Sequence, residues 1–383
     1  MLAVVLSRAV LILTGYAALT LFPAHPVESW QGLSFPHNNW IDGWVRWDSF
    51  WYESIIDLSP RYVPSYLSNA NFLPFYSAVS WIVALPFRAF LELEQAFFAG
   101  ALIVSLVSFV VGLKAVERVA TRLAGADVAM RTVWLIAVFP FSFFFTAVYA
   151  DALYFCLCAW SLCLALEGRW YAACGLAALA TMTRIPGVAL FPALGLEYLR
   201  QRDWKVGPTG PAALCAGILA TGPIIIASYY QWRYGNPLEF LEARQVGWNR
   251  ASGVAGYVRD LNYFFAAPIF PCRGIADCIR EFAPTRTLLG AIYLALIPMS
   301  IALVVRSART LGVALTTWTL VSIALALPNG FDGIGRFTLV LFPFFMALAI
   351  LLKDRAAFLT VCGVCVPLLL LFFAQFARWR QVL

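Results

Sequence analysis

The sequence predicts an all-α protein that crosses a membrane many times. Hydrophobic residues make up 62% of the 383 residues and charged residues only 12%, whereas a soluble domain is about half apolar and a quarter charged. The apolar residues form runs of helical length, not short segments of alternating polarity, so helices are expected instead of a membrane β-barrel. We therefore expect a polytopic integral membrane protein.

Twelve apolar runs predict about ten to twelve transmembrane helices. No small-x-small cleavage site follows the first run, which we interpret as an uncleaved helix and not a signal peptide. No repeat or linker divides the chain, so residues 1–383 are expected to form one domain. The runs are 3–22, 73–87, 96–113, 132–148, 152–166, 170–182, 185–199, 211–230, 287–305, 311–327, 338–352 and 356–376.

The polar segments between these runs predict the topology. Two long segments, 23–72 and 231–286, are rich in aromatic residues, and two short ones, 114–131 and 200–206, are basic. The positive-inside rule places the short basic segments in the cytoplasm and the long ones outside. If every run crosses once, 114–131 falls outside. A re-entrant or broken helix at 73–87, which contains two prolines, resolves this conflict.

Charge and cysteine content exclude several classes of protein. The net charge is +7 without a dense basic block, so we expect no nucleic-acid partner. Two histidines and nine cysteines give no zinc pattern. Cys272 and Cys278 share a polar loop and form a candidate disulfide if that loop faces an oxidising compartment. The other seven cysteines lie in apolar runs and are expected to be small buried side chains.

The densest cluster of aromatic and ionisable residues lies in the first long segment. Four tryptophans there have the spacing of one helix face, and tryptophan favours the membrane interface. We expect an interfacial amphipathic helix over 40–57, with Asp48 and Tyr52 on another sector. Either the helix is an anchor with solvated acids, such as Asp42, or Asp48 lies at the mouth of a membrane cavity. The tryptophans are Trp40, Trp44, Trp47 and Trp51.

Six motifs resemble, in the same order, those of the PIG-V family, which comprises the GPI second-mannose transferases and their prokaryotic relatives. "RWDSFWYESII" resembles the family's Arg-Trp-Asp motif, and "NFLPFYSAVSW" resembles its Phe-Pro-Leu-Tyr-Pro motif, with Ser77 in place of the final proline. "FFFTAVYADALYF" resembles its Tyr-Ser-Glu-Ser-Leu-Phe segment, with Asp151 as the acid.

The other three motifs lie further along the chain. "ATMTRIPGVALFP" resembles Thr-Arg-Ser-Asn-Gly and keeps Arg184 and Gly187. "YGNPLEFLEARQVGWNR" resembles a loop of the prokaryotic members, with Asn236 in place of the usual acid. "GRFTLVLFPFFMALA" resembles their Arg-Tyr-x-Leu-x-x-Phe-Pro ending.

The resemblance implies a GT-C-like bundle and a glycosyltransferase activity. Such an enzyme takes a hexose, here mannose, from a dolichyl-type polyprenyl phosphate and passes it to a glycan or glycolipid acceptor at the outer face. A first-loop aspartate, here Asp48, serves as the base, and no nucleotide sugar or Rossmann domain is involved. The length of 383 residues favours a prokaryotic plasma membrane over the endoplasmic reticulum.

The chemistry of this transfer needs few groups. A carboxylate within hydrogen-bond reach accepts the proton of the attacking hydroxyl, which suits Asp48. The phosphate leaving group needs cationic donors, and guanidinium pairs well with phosphate; the candidates are Arg184, Arg250 and Arg336. Asp151 is a second catalytic candidate that orients the acceptor or shares its proton, or else it caps the following helix.

Six further side chains are candidates for substrate binding, although each also fits an anchoring role at the interface. Mg²⁺ between the carboxylates of Asp48 and Asp151 is conceivable, but two acids far apart in sequence do not establish a site. We expect no metal and no cofactor. The six candidates are Trp47, Tyr52, Asn71, Tyr76, Gln245 and Trp248.

Two other functions stay open. One is a GT-C enzyme that transfers another sugar. The other is a transporter or flippase of lipid-linked sugars, for which pseudo-symmetric halves and charges near the bilayer midplane are typical. The sequence lacks such halves, and most of its charges lie at the edges of apolar runs, so a transferase is favoured.

Overall fold

The fold consists of helices and turns, without a β-strand, throughout the residues that the structure describes. The structure is a computed structural model that describes residues 2–22, 34–35, 37–56, 68–205, 209–244, 253–265, 286–380 and 382. Each of the twelve predicted apolar runs overlaps an α-helix, which confirms the all-α fold class, although the helix in the run 132–148 ends at Val138.

Twelve α-helices lie between residues 2 and 265 of the described chain. They are α1 (Leu2–Leu21), α2 (Asn39–Asp42), α3 (Asp48–Ile56), α4 (Phe75–Ala84), α5 (Leu93–Ala124), α6 (Ala126–Val138), α7 (Asp151–Leu166), α8 (Trp170–Thr183), α9 (Leu190–Arg200), α10 (Thr209–Tyr234), α11 (Glu239–Glu242) and α12 (Val254–Phe265).

The remaining helices complete the bundle. Short 3₁₀ turns supplement them at 69–71, 85–89, 142–145, 185–189 and 327–329. The remaining α-helices are α13 (Arg286–Arg306), α14 (Ala308–Ala326), α15 (Ile334–Val340), α16 (Phe342–Leu351) and α17 (Arg355–Ala377).

Six described helices are long and apolar enough to cross a membrane, and the pair α15 and α16, bent by 77°, makes up to seven. The six are α1, α5, α10, α13, α14 and α17. Helices α7 and α8 are apolar but shorter, at 16 and 14 residues. The chain is therefore a multi-pass membrane protein whose shorter helices pack inside the bundle.

Helix α4, which covers the proline-bounded run 73–87, packs against the first part of α5. The two helices approach most closely at Gly100, where an added Cβ atom would lie 2.6 Å from the carbonyl oxygen of Ser80 and 2.7 Å from the nitrogen of Ala84. Tyr76, at the other end of α4, donates its hydroxyl to the carbonyl of Ala101 at 3.2 Å. Helix α4 thus covers only one end of the 32-residue α5.

Polar contacts join the basic connections at one end of the bundle. Arg118 on α5 pairs with Glu167, just after α7, at 2.6 Å. Gln201, just after α9, donates to the carbonyl of Ala165 at 2.9 Å. The opposite end of α7 is Asp151, about 24 Å away for a helix of this length. The basic segments and Asp151 therefore lie at opposite ends of the bundle.

The segment 40–57 does not form the continuous amphipathic helix that the tryptophan spacing predicts. It is divided into α2 and α3 by residues 43–47, and Trp47 has φ +53°. The four indoles have separate environments because of this break. Trp40 stacks on Tyr16, Trp44 packs on Phe373, Trp47 on Trp379, and Trp51 on Phe72.

A buried arginine holds the break between α2 and α3. The Arg46 side chain is fully buried and pairs with Asp42, which is also buried, so the expectation of a solvated Asp42 is wrong. Arg46 also donates to the carbonyl of Ala377 at the end of α17 at 2.7 Å. The hydroxyl of Ser49 donates to the carbonyls of Arg46 and Val148 at 2.8 and 3.2 Å. These bonds fix the turn that precedes Asp48.

The cysteines match their predicted surroundings where the structure describes them. Those predicted in apolar runs are free thiols, of which four are buried and three half-buried. Cys272 and Cys278 lie outside the described residues, so the candidate disulfide stays a prediction.

We predict that Gly100→Ala lowers the stability of the protein, because the new methyl group meets the backbone of α4. Overpacking of this kind costs about 1–3 kcal/mol. Gly175→Ala on α8 is the matched control, since nothing lies within 4 Å of its Cβ position, and alanine in a helix interior is otherwise favourable by about 0.5–1 kcal/mol. Thermal unfolding in detergent, followed by tryptophan fluorescence, measures both. Equal melting temperatures for the two variants would contradict the close packing of α4 on α5.

Candidate functional site

Four charged side chains from distant parts of the chain meet at one end of the bundle. Arg336 donates to Asp48 at 2.8 Å, and its Nε atom lies 3.7 Å from the Oδ2 atom of Asp151. Arg184 pairs with the Oδ1 atom of Asp151. We call Asp48, Asp151, Arg184 and Arg336 the charge cluster. The sequence predicted all four as site residues, and the structure brings them together.

Each member of the charge cluster lies at or near the terminus of a helix. Asp48 and Asp151 are the first residues of α3 and α7, where the helix dipole favours a carboxylate. Arg184 follows the end of α8, whose last residue, Thr183, is three positions before Pro186. Arg336 lies in the first turn of α15, after a turn in which Gly330 and Gly333 have positive φ angles. Asp151 pairs with Arg184, and the N-cap of α7 is Ala150, so the geometry does not support the alternative that Asp151 caps this helix.

The accessible part of the charge cluster is cationic. The side chains of Arg184 and Arg336 are each 19% exposed, that of Asp48 is 10% exposed, and that of Asp151 is completely buried. A ligand that approaches the cluster therefore meets two guanidinium groups before it meets a carboxylate. This arrangement favours an anionic ligand, since guanidinium donors pair best with carboxylate or phosphate oxygens.

Aromatic rings that the sequence did not predict as site residues line the cluster. The Arg336 guanidinium lies over Tyr149 at 5.1 Å and over Phe144 at 5.6 Å, and Arg184 lies over Tyr154 at 5.9 Å. The hydroxyl of Tyr149 accepts a hydrogen bond from the backbone N–H of Asp48 at 3.3 Å. All three rings belong to the motif "FFFTAVYADALYF" around Asp151. This motif is the feature of the sequence from which they could have been predicted.

Tyr52 lies beside the charge cluster, as the sequence predicted. Burial raises the pKa of its phenol, and the Asp48 carboxylate raises it further, whereas the guanidinium groups of Arg184 and Arg336 lower it. The net change is an increase, so the hydroxyl stays protonated and is able to donate a hydrogen bond.

Trp47, Asn71 and Tyr76 occupy three different positions. The Nε1 atom of Trp47, directly before Asp48, has no hydrogen-bond partner among the described residues, and the same holds for the Oδ1 atom of Asn71. Tyr76 is completely buried; its ring contacts that of Tyr52 at 5.0 Å and its hydroxyl bonds to α5. Tyr76 therefore supports Tyr52 from behind, and the expectation that it contacts substrate finds no support in this geometry.

Gln245, Trp248 and Arg250 lie outside the described residues, so their predicted roles are neither supported nor contradicted. The second long segment, 231–286, nevertheless contacts the turn before Arg336 through α12. Asp260 on this helix accepts the backbone N–H groups of Phe331 and Asp332 at 2.8 and 3.0 Å. It thereby fixes the turn before α15, which carries Arg336.

A cavity of about 740 Å³ lies at the other end of the bundle. Its cationic lining residues Lys114 and Arg118 pair with Glu117 and Glu167. Because it opens at the basic end and does not include the charge cluster, we do not assign it to the site.

Comparisons with known proteins give structural neighbours only. No family model matches the chain, and no curated protein matches its sequence. The crystal structure of ArnT from Cupriavidus metallidurans bound to undecaprenyl phosphate superposes with a TM-score of 0.50 and 16% identity, over 92% of this chain. The oligosaccharyltransferase from Archaeoglobus fulgidus in the apo form gives a TM-score of 0.51 and 13% identity, over 98% of this chain.

These likenesses define the class of the fold. At such identities they show the fold alone, and the chain spans only 60% and 56% of the two neighbours' lengths. The chain therefore shares its membrane-helical fold with these two proteins. Membership of the PIG-V family, which the six motifs suggest, is not shown by these neighbours.

We predict that Asp151→Asn destabilises the protein strongly, because it leaves Arg184 and Arg336 without their shared buried carboxylate. Removing one partner of a buried ion pair costs about 3–5 kcal/mol. Glu117→Gln is the control, since it breaks an exposed pair with Lys114 worth about 0–1 kcal/mol. Thermal unfolding in detergent measures both variants. An Asp151→Asn protein as stable as Glu117→Gln would contradict the buried contacts of Asp151.

Proposed function

We propose that the protein is a glycosyltransferase that moves a hexose, mannose, from a polyprenyl phosphate to an extracytoplasmic acceptor with inversion at the anomeric carbon. One observation carries the proposal. The Asp48 carboxylate lies 2.8 Å from Arg336 in a cluster whose most exposed members are guanidinium groups. A base and a cation suited to phosphate are thus held in one cluster, and in-line displacement requires this pair to separate so that the sugar lies between the base and the phosphate.

The structural neighbours support the class of donor. ArnT, named in one neighbouring structure, is bound there to undecaprenyl phosphate, and the other neighbour is named an oligosaccharyltransferase. We infer a polyprenyl-phosphate donor for this chain from the shared fold together with the cationic face of the charge cluster. The choice of mannose rests on the resemblance of the six motifs to the PIG-V family.

Arg336 and Arg184 are the proposed partners of the donor phosphate. The bond between the anomeric carbon and the phosphate oxygen breaks, and the electron pair stays on the phosphate, whose negative charge increases. Guanidinium groups already fixed by Asp151 stabilise this charge without reorganising during the reaction. Asp151 is therefore proposed as the residue that positions both arginines, with no need to share a proton with the acceptor.

Asp48 is the proposed general base. The acceptor hydroxyl attacks the anomeric carbon from the side opposite the phosphate, and its proton passes to the Asp48 carboxylate. When the donor phosphate binds to Arg336, it competes with Asp48 for the guanidinium group, and the carboxylate is released to accept the proton of the acceptor hydroxyl.

The sugar and the acceptor are proposed to contact the polar groups next to Asp48. The protonated Tyr52 hydroxyl and the indole N–H of Trp47 are donors of the kind that sugar hydroxyls accept. The amide oxygen of Asn71 is an acceptor. Gln245, Trp248 and Arg250 remain proposed contacts from the second outer segment.

The proposed site faces the extracytoplasmic side of a prokaryotic plasma membrane. Suppose that α4 does not cross and that every other apolar run crosses the membrane once. The described chain then makes eleven crossings, with α9 counted as one and the bent pair α15–α16 as another. This order puts 114–131, 200–206 and 353–355 on one side and the charge cluster on the other. The positive-inside rule makes the basic side cytoplasmic.

We predict that Asp48→Asn lowers the rate of sugar transfer by about 10²–10⁴, the usual contribution of a general base, while polyprenyl phosphate still binds. Purified protein with labelled polyprenyl-phosphate mannose and candidate acceptors measures the rate, and parallel reactions with other lipid-linked sugars test the donor. Asp203→Asn, an exposed aspartate after α9, is the matched control.

Transfer by Asp48→Asn at the native rate would contradict the assignment of the base. Movement of the lipid-linked sugar across a vesicle membrane, without any glycosylated product, would favour the flippase instead.

We predict that Arg336→Gln weakens the binding of polyprenyl phosphate about 10- to 100-fold, since a hydrogen bond to a charged group contributes about 1.5–3 kcal/mol. Arg355→Gln, at the exposed start of α17 at the other end of the bundle, is expected to leave binding unchanged. Native mass spectrometry of the purified proteins with the lipid measures both. Equal losses for the two variants would indicate that the lipid does not use Arg336.

A further inference from the structure

The carboxylates of Asp48 and Asp151 share one cation, and that cation is a side chain of the protein itself. Arg336 reaches the Oδ2 atom of Asp48 at 2.8 Å and the Oδ2 atom of Asp151 at 3.7 Å. A divalent ion that bridged these two carboxylates would have to occupy the space between them, where the guanidinium lies.

The charge cluster does not suit a divalent ion in its present form. Such an ion would lie against both Arg336 and Arg184, and its charge would be repelled by theirs in a site with little solvent. Mg²⁺ also needs near-octahedral oxygen ligands at about 2.0–2.1 Å. No group of three or more His, Cys, Asp or Glu side chains occurs among the residues that the structure describes. The two carboxylates thus offer a divalent ion only two ligating side chains, and two guanidinium groups compete with the ion for them.

Asp151 has one carboxylate oxygen that accepts no hydrogen bond in the described chain. Its side chain is completely buried and its Oδ2 atom has no hydrogen-bond partner in the described chain. A buried carboxylate oxygen without a donor is costly, and here the charge of Arg336 lies 3.7 Å from it, while Arg184 pairs with the other oxygen. The pair of carboxylates therefore has the character of a cation site that is satisfied electrostatically by an arginine.

We infer that Arg336 takes the place of a divalent cation between Asp48 and Asp151. Two consequences follow. The first consequence rests on the proposed function: the transfer reaction proceeds without an added metal. Independently of that function, removal of the guanidinium converts the two carboxylates into a site that binds a divalent cation.

Binding of Mn²⁺, followed by electron paramagnetic resonance of the purified full chain in detergent, tests the second consequence. The native protein is expected to bind no Mn²⁺ at the cluster, whereas Arg336→Gln is expected to bind one ion. Adding Asp48→Asn to this variant is expected to weaken its binding at least 10-fold. Arg336→Lys, which keeps a cation, is the control and is expected to bind none.

Three results would overturn the inference. They are one Mn²⁺ bound by the native protein and lost in Asp48→Asn, the lack of a site in a folded Arg336→Gln protein, and a site in Arg336→Lys as strong as that in Arg336→Gln. A thermal melt of each variant establishes that it is folded. If Arg336→Gln is unfolded, Arg336→Met is measured in its place under the same criteria.

The metal requirement of transfer separates this inference from the proposed function. Native protein treated with a chelator is expected to transfer sugar at an unchanged rate. Loss of transfer that Mg²⁺ or Mn²⁺ restores would overturn the first consequence while leaving the glycosyltransferase in place. A protein that transfers no sugar under any condition would refute the proposed function, and the Mn²⁺ result would stand on its own.

Discussion

The ion pair between Asp48 and Arg336 joins the first loop to a helix 288 residues further along the chain, and the site depends on it. Neither charge is stable alone in a bundle with little solvent. Asp151 and Arg184 extend the pair into a cluster of two carboxylates and two guanidinium groups with no net formal charge. Such a cluster tolerates burial, and it is able to exchange one internal anion for an external one, which is what a phosphate-bearing lipid offers.

Contacts elsewhere in the structure hold the four side chains of the charge cluster in position. Arg46 and Asp42 lock the turn before Asp48 and fasten it to the end of α17. Asp260 holds the turn before Arg336 from the side of α12. Tyr149 and Phe144 provide the surface on which the Arg336 guanidinium lies. The polar positioning groups thus come from both long segments, 23–72 and 231–286, and the aromatic ones from the stretch between α6 and α7.

Much of the fold and the core of the site could be predicted from the sequence. Apolar runs define the helices. The motifs that resemble the PIG-V family singled out Asp48, Asp151, Arg184 and Arg336, and the cost of a charge at the edge of an apolar run also indicated Asp151. Their mutual pairing could not be predicted, because it joins residues far apart in the chain. The tryptophan spacing misled because the positive φ of Trp47 and the Arg46 contacts, which are tertiary features, interrupt the helix. Tyr76 was predicted from its position in a motif, which does not reveal that its hydroxyl bonds to Ala101 and Ser105 on α5.

The most direct test of this account is an experimental structure of the purified protein with undecaprenyl phosphate. We expect the phosphate oxygens to lie about 3 Å from Arg336, and the distance between Arg336 and Asp48 to be longer than 2.8 Å, with the carboxylate turned toward the acceptor space. A lipid phosphate bound away from both arginines, with the pair between Asp48 and Arg336 intact, would contradict the central claim.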